Sequence, residues 1–321
     1  MKTVIRFSSL GLLATVCLFS SPTLDGADCN QNGIDDAMDL LPGDFNVLAA
    51  PRYRYPVGHV PGGVVAADFN GDGRPDLATA DRGCAPCGPN RPSSVSVLLN
   101  RGDRTFEEAV SYPAVGAGGW VYELLVAADL DGDGSEDLAT ATGGVPGFVS
   151  VFLNRGDGTF DVAVSYLVGE GPRSLIAADF SGDGQLDLVT ADKAHNGLDA
   201  ISVLLNLGGG TFAEAVRYPV AGGVGPLVTA DLDGDGSADL ATVSMWCPQP
   251  EPPVVSVLRN RGEGVFEDAV SYPVAAGAEL LITADLDGDG SPDLATALAA
   301  GGCFDDDPWA PSLDSHVRFW P

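Results

Sequence analysis

From residue 60 onward the chain alternates between two textures. Short runs of small apolar residues, such as LLVAAD ending at Asp129 and LLITAD ending at Asp285, lead into acidic, glycine-bearing stretches. After these come DLATAT, DLVTAD or DLATVS, then SVSVLLN, FVSVFLN, AISVLLN or VVSVLRN. Period-two alternation in this last group predicts half-buried strands. A glycine turn (NRGDRTF, NRGDGTF, NLGGGTF, NRGEGVF) then reverses the chain into a fourth stretch, ending in Tyr112-Pro113, Tyr166-Leu167, Tyr218-Pro219 or Tyr272-Pro273. Helix periodicity is nearly absent.

The acidic stretches are five copies of one nine-residue loop: DFNGDGRPD from Asp68, DLDGDGSED from Asp129, DFSGDGQLD from Asp179, DLDGDGSAD from Asp231 and DLDGDGSPD from Asp285. They start 61, 50, 52 and 54 residues apart, a period that marks an array of supersecondary units. Four antiparallel strands per unit, repeated radially, make a propeller blade. The ends fit this pattern. DFNVLAAPRYRYPV, residues 44 to 57, matches the fourth strand of the repeat, and SHVRFWP, residues 315 to 321, fits the third-strand slot. The expected fold over 44–321 is therefore all-β: a five-bladed β-propeller of four-stranded antiparallel blades, closed by an N-terminal strand that completes the C-terminal blade. Closure also removes an exposed sheet edge.

The formal net charge of −29 argues against nucleic acid or anionic membranes as partners. Much of it has a local origin, because the five loops carry 18 Asp at their odd positions. Oxygens at positions 1, 3, 5 and 9, with the backbone carbonyl of position 7, suit a hard cation that takes six to eight oxygens at about 2.3–2.6 Å. The candidate calcium ligands are Asp68, Asn70, Asp72, Arg74 and Asp76 in the first loop, and Asp129, Asp131, Asp133, Ser135 and Asp137 in the second. The third offers Asp179, Ser181, Asp183, Gln185 and Asp187, and is the weakest because Ser181 stands where the others have Asp or Asn. Asp231, Asp233, Asp235, Ser237 and Asp239 form the fourth, and Asp285, Asp287, Asp289, Ser291 and Asp293 the fifth. Arg74, Ser135, Gln185, Ser237 and Ser291 enter through their carbonyls. Zinc would need His or Cys, which the loops lack, and an EF-hand would need helices and a Glu at position 12.

The succession of DLDGDGxxDL, SVLLN and GDGTF resembles the VCBS and FG-GAP repeats of bacterial extracellular proteins, relatives of the calcium-bearing blades of the integrin α-subunit head. The resemblance covers nearly all of residues 44–321. It implies a propeller with calcium in the hairpin between the first and second strands of each blade, and a role in adhesion or recognition. Ala-Thr-Ala follows the loops where FG-GAP repeats carry Gly-Ala-Pro, which favours the VCBS-like branch.

Ahead of the repeats, Lys2 and Arg6 precede an apolar stretch from Leu10 to Phe19, the layout of a secretory signal and too short for a membrane span. Residues 1–27 are therefore expected to be a signal peptide, and the protein to be secreted, periplasmic or at the cell surface. Residues 28–43 form a linker in which Asp28, Asn30, Asn32, Asp36 and Asp39 have calcium-loop spacing, so a sixth calcium site and a plain polar linker are the two readings there. This segment resembles dockerin and thrombospondin type 3 loops, though Met38 stands where those carry a second Cys. Cys29, Cys84, Cys87, Cys247 and Cys303 are an odd set for an oxidising compartment, and CAPC reads best as a loop disulfide.

Successive turns of an antiparallel blade alternate between faces, so the acidic loops and glycine turns share one face and the variable connectors the other. Trp120, Trp246 and Trp309 map to the connector face, as do His59, His195 and His316. Aromatic rings on variable loops suit the binding of a carbohydrate or protein ligand; packing of the loops on one another is the bland alternative. The Arg-Gly-Asp triplets at 101–103 and 155–157 occupy a repeat turn, whose geometry accounts for the glycine. The expected function is non-catalytic recognition or adhesion, since HExxH, GxSxG and phosphate-loop motifs are missing. Competing readings are a calcium-rigidified envelope spacer, or a propeller glycosidase using acids such as Glu123, Glu170 and Glu279 near the axis.

Overall fold

A computed structural model describes residues 54–83, 93–115, 124–194, 198–244, 253–274, 278–298 and 317–320. The signal segment, the linker at 28–43, residues 44–53, all five remaining cysteines and the three connector tryptophans lie outside the described residues.

Five antiparallel sheets follow one another in chain order. Sheet 1 contains β1 (Pro61–Ala67), β2 (Asp76–Asp81), β3 (Ser94–Leu98) and β4 (Val110–Pro113). Sheet 2 contains β5 (Leu124–Ala128), β6 (Asp137–Thr142), β7 (Gly147–Phe152) and β8 (Val164–Val168). Sheet 3 contains β9 (Pro172–Ala178), β10 (Asp187–Asp192), β11 (Ala200–Leu204) and β12 (Val216–Pro219). Sheet 4 contains β13 (Leu227–Ala230), β14 (Asp239–Val243), β15 (Val254–Leu258) and β16 (Val270–Pro273). Sheet 5 contains β17 (Ala278–Ala284), β18 (Asp293–Leu298) and β19 (Val317–Trp320). Each is a simple meander in which sequential strands pair. No helix occurs among the described residues.

The third strands of sheets 1 to 4 are largely buried on both faces, not half-buried as their alternation predicts. In β7, paired with β6 through Leu138↔Phe152, Ala139↔Val151 and Thr140↔Ser150, Val149 and Val151 pack toward sheet 3 while Phe152 packs toward sheet 1. The polar members of the alternation are serines small enough to be enclosed, and they find partners: Ser150 Oγ lies 2.8 Å from Ser165 Oγ, and Ser256 Oγ 3.0 Å from Ser271 Oγ. A sheet covered on both faces must avoid large polar side chains, which explains the Ala, Thr and Ser of DLATAT and SVSVL.

Between consecutive sheets lies one apolar cluster each. Phe69, Val95 and Val97 of sheet 1 meet Leu138, Phe152 and Phe160 of sheet 2. Leu130, Val149 and Val151 meet Leu175, Leu188, Leu204 and Phe212 of sheet 3. Equivalent sets join sheets 3 and 4, and sheets 4 and 5. The first strands neighbour one another from sheet to sheet, β1 against β5, β5 against β9, β9 against β13 and β13 against β17. Sheet 5 is three-stranded, and Arg54–Val57, the described part of the expected closing strand, lies outside any strand.

Candidate metal centre

Each acidic loop joins the first strand of a sheet to its second. In the second loop Gly132 and Gly134 adopt φ of 82° and 90°, left-handed values that L side chains resist, and the same two positions do so in every loop. The turn aims backbone N–H groups inward. Gly132 N donates to Asp129 Oδ1 at 2.7 Å and Gly134 N to Asp129 Oδ2 at 3.0 Å. Asp133 N donates to Asp131 at 3.0 Å, and Ser135 N to Asp133 at 2.7 Å. The loops at Asp231 and Asp285 repeat the arrangement.

These turns gather carboxylates. Oxygens of Asp129, Asp131 and Asp137 lie within 4.8 Å of one another, as do those of Asp231, Asp233 and Asp239, and those of Asp285, Asp287 and Asp289. Like charges so placed repel by roughly 4 kcal/mol per pair at 4 Å and an effective dielectric of 20. The donor set is oxygen only, which fits a hard cation such as calcium. The loops at Asp68 and Asp179 differ. Asn70 and Ser181 reduce their charge, and the Arg74 guanidinium pairs with Asp72 while also reaching the Asn100 carbonyl at 3.3 Å. Gln185 Nε2 sits 3.2 Å from Asp183.

Position 9 has a second task. Asp137 is fully buried; its Oδ2 accepts from Leu130 N at 2.9 Å and its Oδ1 from Asn154 N at 2.7 Å, so one carboxylate ties the loop to the end of the third strand. Asp76, Asp187 and Asp239 do the same with Asn100, Asn206 and Asn260. Burial pushes the Asp137 carboxyl up to about 6, against the pull of its two backbone donors, and lifts Asp76, Asp187 and Asp239 above the usual carboxylate range for the same reason. A neighbouring divalent cation would act in the opposite sense, favouring the carboxylate.

The asparagines themselves join the sheets, a role the sequence reading did not assign. Asn206, 4% exposed, donates through Nδ2 to the Leu186 carbonyl in its own loop at 3.0 Å and to the Leu130 carbonyl in the preceding sheet's loop at 2.7 Å. Its Oδ1 accepts from Gly208 N at 2.9 Å. Asn154 links Glu136 to Phe69, and Asn260 links Ala238 to Phe180, in the same way. Tyrosines ending the fourth strands reinforce these seams: the hydroxyls of Tyr112, Tyr166 and Tyr218 accept from Phe160 N, Phe212 N and Phe266 N of the next sheet, with edge-on ring contacts. The recurrence of Asn after the first four third strands was the available signal.

Both Arg-Gly-Asp turns are internally engaged. Asp103 and Asp157 each accept from the backbone and hydroxyl of the Thr two residues on, which holds both carboxyls below the usual range, and Arg155 pairs with Asp161. Trp120, Trp246 and Trp309 lie outside the described residues, as does the Asp28–Asp39 segment.

The FG-GAP-like repeat pattern matches residues 84–140, 129–190 and 179–242, and the FG-GAP repeat pattern matches residues 60–98. No curated protein matches the chain. Among solved structures, the Vibrio cholerae biofilm matrix protein Bap1 is similar at 17% identity and a TM-score of 0.42, over 76% of this chain and 35% of that one. Bacillus licheniformis rhamnogalacturonan lyase PL11 is similar at 15% identity and a TM-score of 0.39, over 75% of this chain and 58% of that one. The chain thus spans about a third of the first structure and somewhat over half of the second. No described helix is long and apolar enough to cross a membrane.

Proposed function

This chain belongs to the FG-GAP repeat family, and from that premise we propose that it is an extracellular five-bladed β-propeller, rigidified by calcium, that serves as a non-catalytic recognition or adhesion module for a carbohydrate or protein ligand. The observation that carries the reading is the repeated gathering of carboxylates in loops that are themselves stapled to the next sheet. Asp129, Asp131, Asp133 and Asp137 and their counterparts would hold the ions, which supply the positive charge that lets these loops stay closed. Filling one site at a hundredfold excess of calcium over its dissociation constant contributes about 2.7 kcal/mol.

Closure of the ring has its own support. Tyr55 repeats the seam of the fourth-strand tyrosines: its hydroxyl accepts from Phe106 N at 3.0 Å and its ring meets Phe106 edge-on at 5.6 Å. Gly58 N donates to Asp81 as Gly169 N does to Asp192. Residues from Tyr55 onward thus stand to sheet 1 as the end of a fourth strand stands to the sheet after it. Apolar positions equivalent to ones buried at the inner seams are exposed at the two ends: Val64, at 65% on sheet 1, stands where Leu175 and Leu227 are buried, and Leu286, at 42% on sheet 5, where Leu130 and Phe180 are buried. In a closed ring these faces cover one another, and the register of the other sheets pairs Tyr55 with Val317.

Calorimetric unfolding with and without a calcium chelator tests the metal role; an unchanged transition contradicts it. Binding on glycan and matrix-protein arrays by the protein and by a Trp120, Trp246 and Trp309 triple alanine variant tests recognition, and equal binding by both removes the connector face from the proposal.

A further inference from the structure

The fourth strands β4, β8, β12 and β16 each pair on one side only and form the free edges of sheets 1 to 4. Three of them carry the same two safeguards against pairing with another chain. An exposed acid stands two residues before the strand, at Glu108, Glu214 and Asp268, and an exposed proline follows the tyrosine, at Pro113, Pro219 and Pro273. Charge and proline are what keep sheet edges from recruiting further strands. β8 has neither. Val162 replaces the acid and is 92% exposed, Leu167 replaces the proline and is 58% exposed, and the strand runs one residue longer than the other three.

Main-chain direction makes the missing proline matter. Ala114 N, Val220 N and Val274 N, each just after a proline, donate to Ser93, Asp199 and Pro253 at 2.8, 2.9 and 2.8 Å, toward the third-strand side. Groups alternate along a strand, so the residue before each of them turns its main-chain groups outward. β8 keeps the same register on β7, Phe148↔Leu167 corresponding to Ser94↔Pro113. Leu167 therefore presents an outward N–H that proline withholds in the other three strands, and Ser165 presents a second. The neighbouring turn has also lost charge. In sheets 2 and 4 the glycine turn carries an ion pair, Arg155 with Asp161 and Arg261 with Glu267, whereas sheet 3 has the exposed Leu207 and Ala213 at those positions. This turn adjoins β8, because the Tyr166 hydroxyl accepts from Phe212 N at 3.2 Å.

We propose that β8 is the contact through which two copies of this chain associate, antiparallel and across a two-fold axis. A chain of net charge −29 repels its own copy, and an acid beside the axis would add to that repulsion from both sides. Residues 162–169 carry no charge. A basic partner would gain from the acid that is missing here, so its loss points to a partner as acidic as the chain itself. With Tyr166 on the axis, Ser165 of one copy faces Leu167 of the other, and their outward groups exchange N–H···O=C bonds in both directions. A proline at 167 would leave half of these unmade. The strip is short, so the association is weak and concentration-dependent. It goes beyond the recognition reading and does not depend on it.

Sedimentation velocity of the full protein in saturating calcium, from ~10 to ~500 µM, tests this over the range suited to a contact of small area. A reversible monomer–dimer equilibrium is expected. Leu167→Pro and Val162→Glu install residue types that the other sheets carry at these positions, so both should keep the parent's melting transition while raising the dissociation constant tenfold or more. Leu167→Pro changes no charge, which separates loss of strand pairing from altered net charge. A parent that stays monomeric throughout, dimers that prove disulfide-linked on a non-reducing gel, or an association that Leu167→Pro leaves unchanged overturns the proposal. Chelator-dependent melting and array binding are separate measurements, so a failure here is distinguishable from a failure of the calcium or recognition readings.

Discussion

Replacing Asn206 by Ala isolates the staple between sheets 2 and 3. The substitution removes two donated bonds, to Leu130 and Leu186, and one accepted from Gly208. Each contributes about 0.5–1.5 kcal/mol net, and the Leu130 carbonyl is left without this donor at a site where Asn206 is only 4% exposed. The expected loss is about 2–4 kcal/mol, which lowers the melting temperature by roughly 3–7 °C for a chain of this size. Urea denaturation in saturating calcium, followed by circular dichroism and tryptophan fluorescence, measures it. An unchanged slope with a lower midpoint identifies a native-state effect. A loss below about 1 kcal/mol refutes the idea that the buried amide joins the sheets, whatever its geometry.

Asn100 provides a reading of ring closure. Its amide donates to Pro75 O in its own loop, and in a closed ring the Leu286 carbonyl becomes its second acceptor. Asn100→Ala should then cost as much as Asn206→Ala, and half that cost or less argues for an open array. A photoreactive benzophenone residue at Tyr55 should cross-link within one chain to the peptide containing Val317–Trp320; cross-links only between chains contradict closure. Arg104 holds a left-handed φ of 69° where other turns have Gly158, Gly210 and Gly264, so Arg104→Gly should stabilise by about 1 kcal/mol, checked by the denaturation midpoint. Burial raises the Asp192 carboxyl, so its stabilising contribution is complete below about pH 3.9 and is lost as pH rises through the folded-state value. Asp192→Asn should therefore gain stability relative to the parent between pH 4 and pH 7 in calcium-saturated protein, and a pH-independent difference contradicts this.

The strand order, the turns and the shared face of loops and glycine hairpins were legible in the sequence, because period two, glycine placement and exact repetition are local properties. The two-sided burial of β7 was not, since alternation of Val with Ser looks the same whether the serine faces water or a neighbouring sheet. Asn154, Asn206 and Asn260 read as strand ends because their partners lie 76 to 85 residues away in the preceding unit. Asp137 and its counterparts read purely as ligands, and the backbone donors they accept depend on a third strand folding back beside the loop. The acidic cluster itself was visible, because its members lie within nine residues of one loop.

The seams between sheets 1 and 2, 2 and 3, and 3 and 4 are made from the same parts: an amide reaching backward, a loop carbonyl waiting for it, a tyrosine reaching forward. A duplication or deletion of one whole unit at the gene level therefore creates a junction of the same chemistry as the one it disrupts. Unit number can drift during evolution without any seam having to be redesigned, whereas a change confined to half a unit leaves mismatched halves at two junctions. Variation should accordingly accumulate as whole-unit gains and losses and as substitutions at single positions.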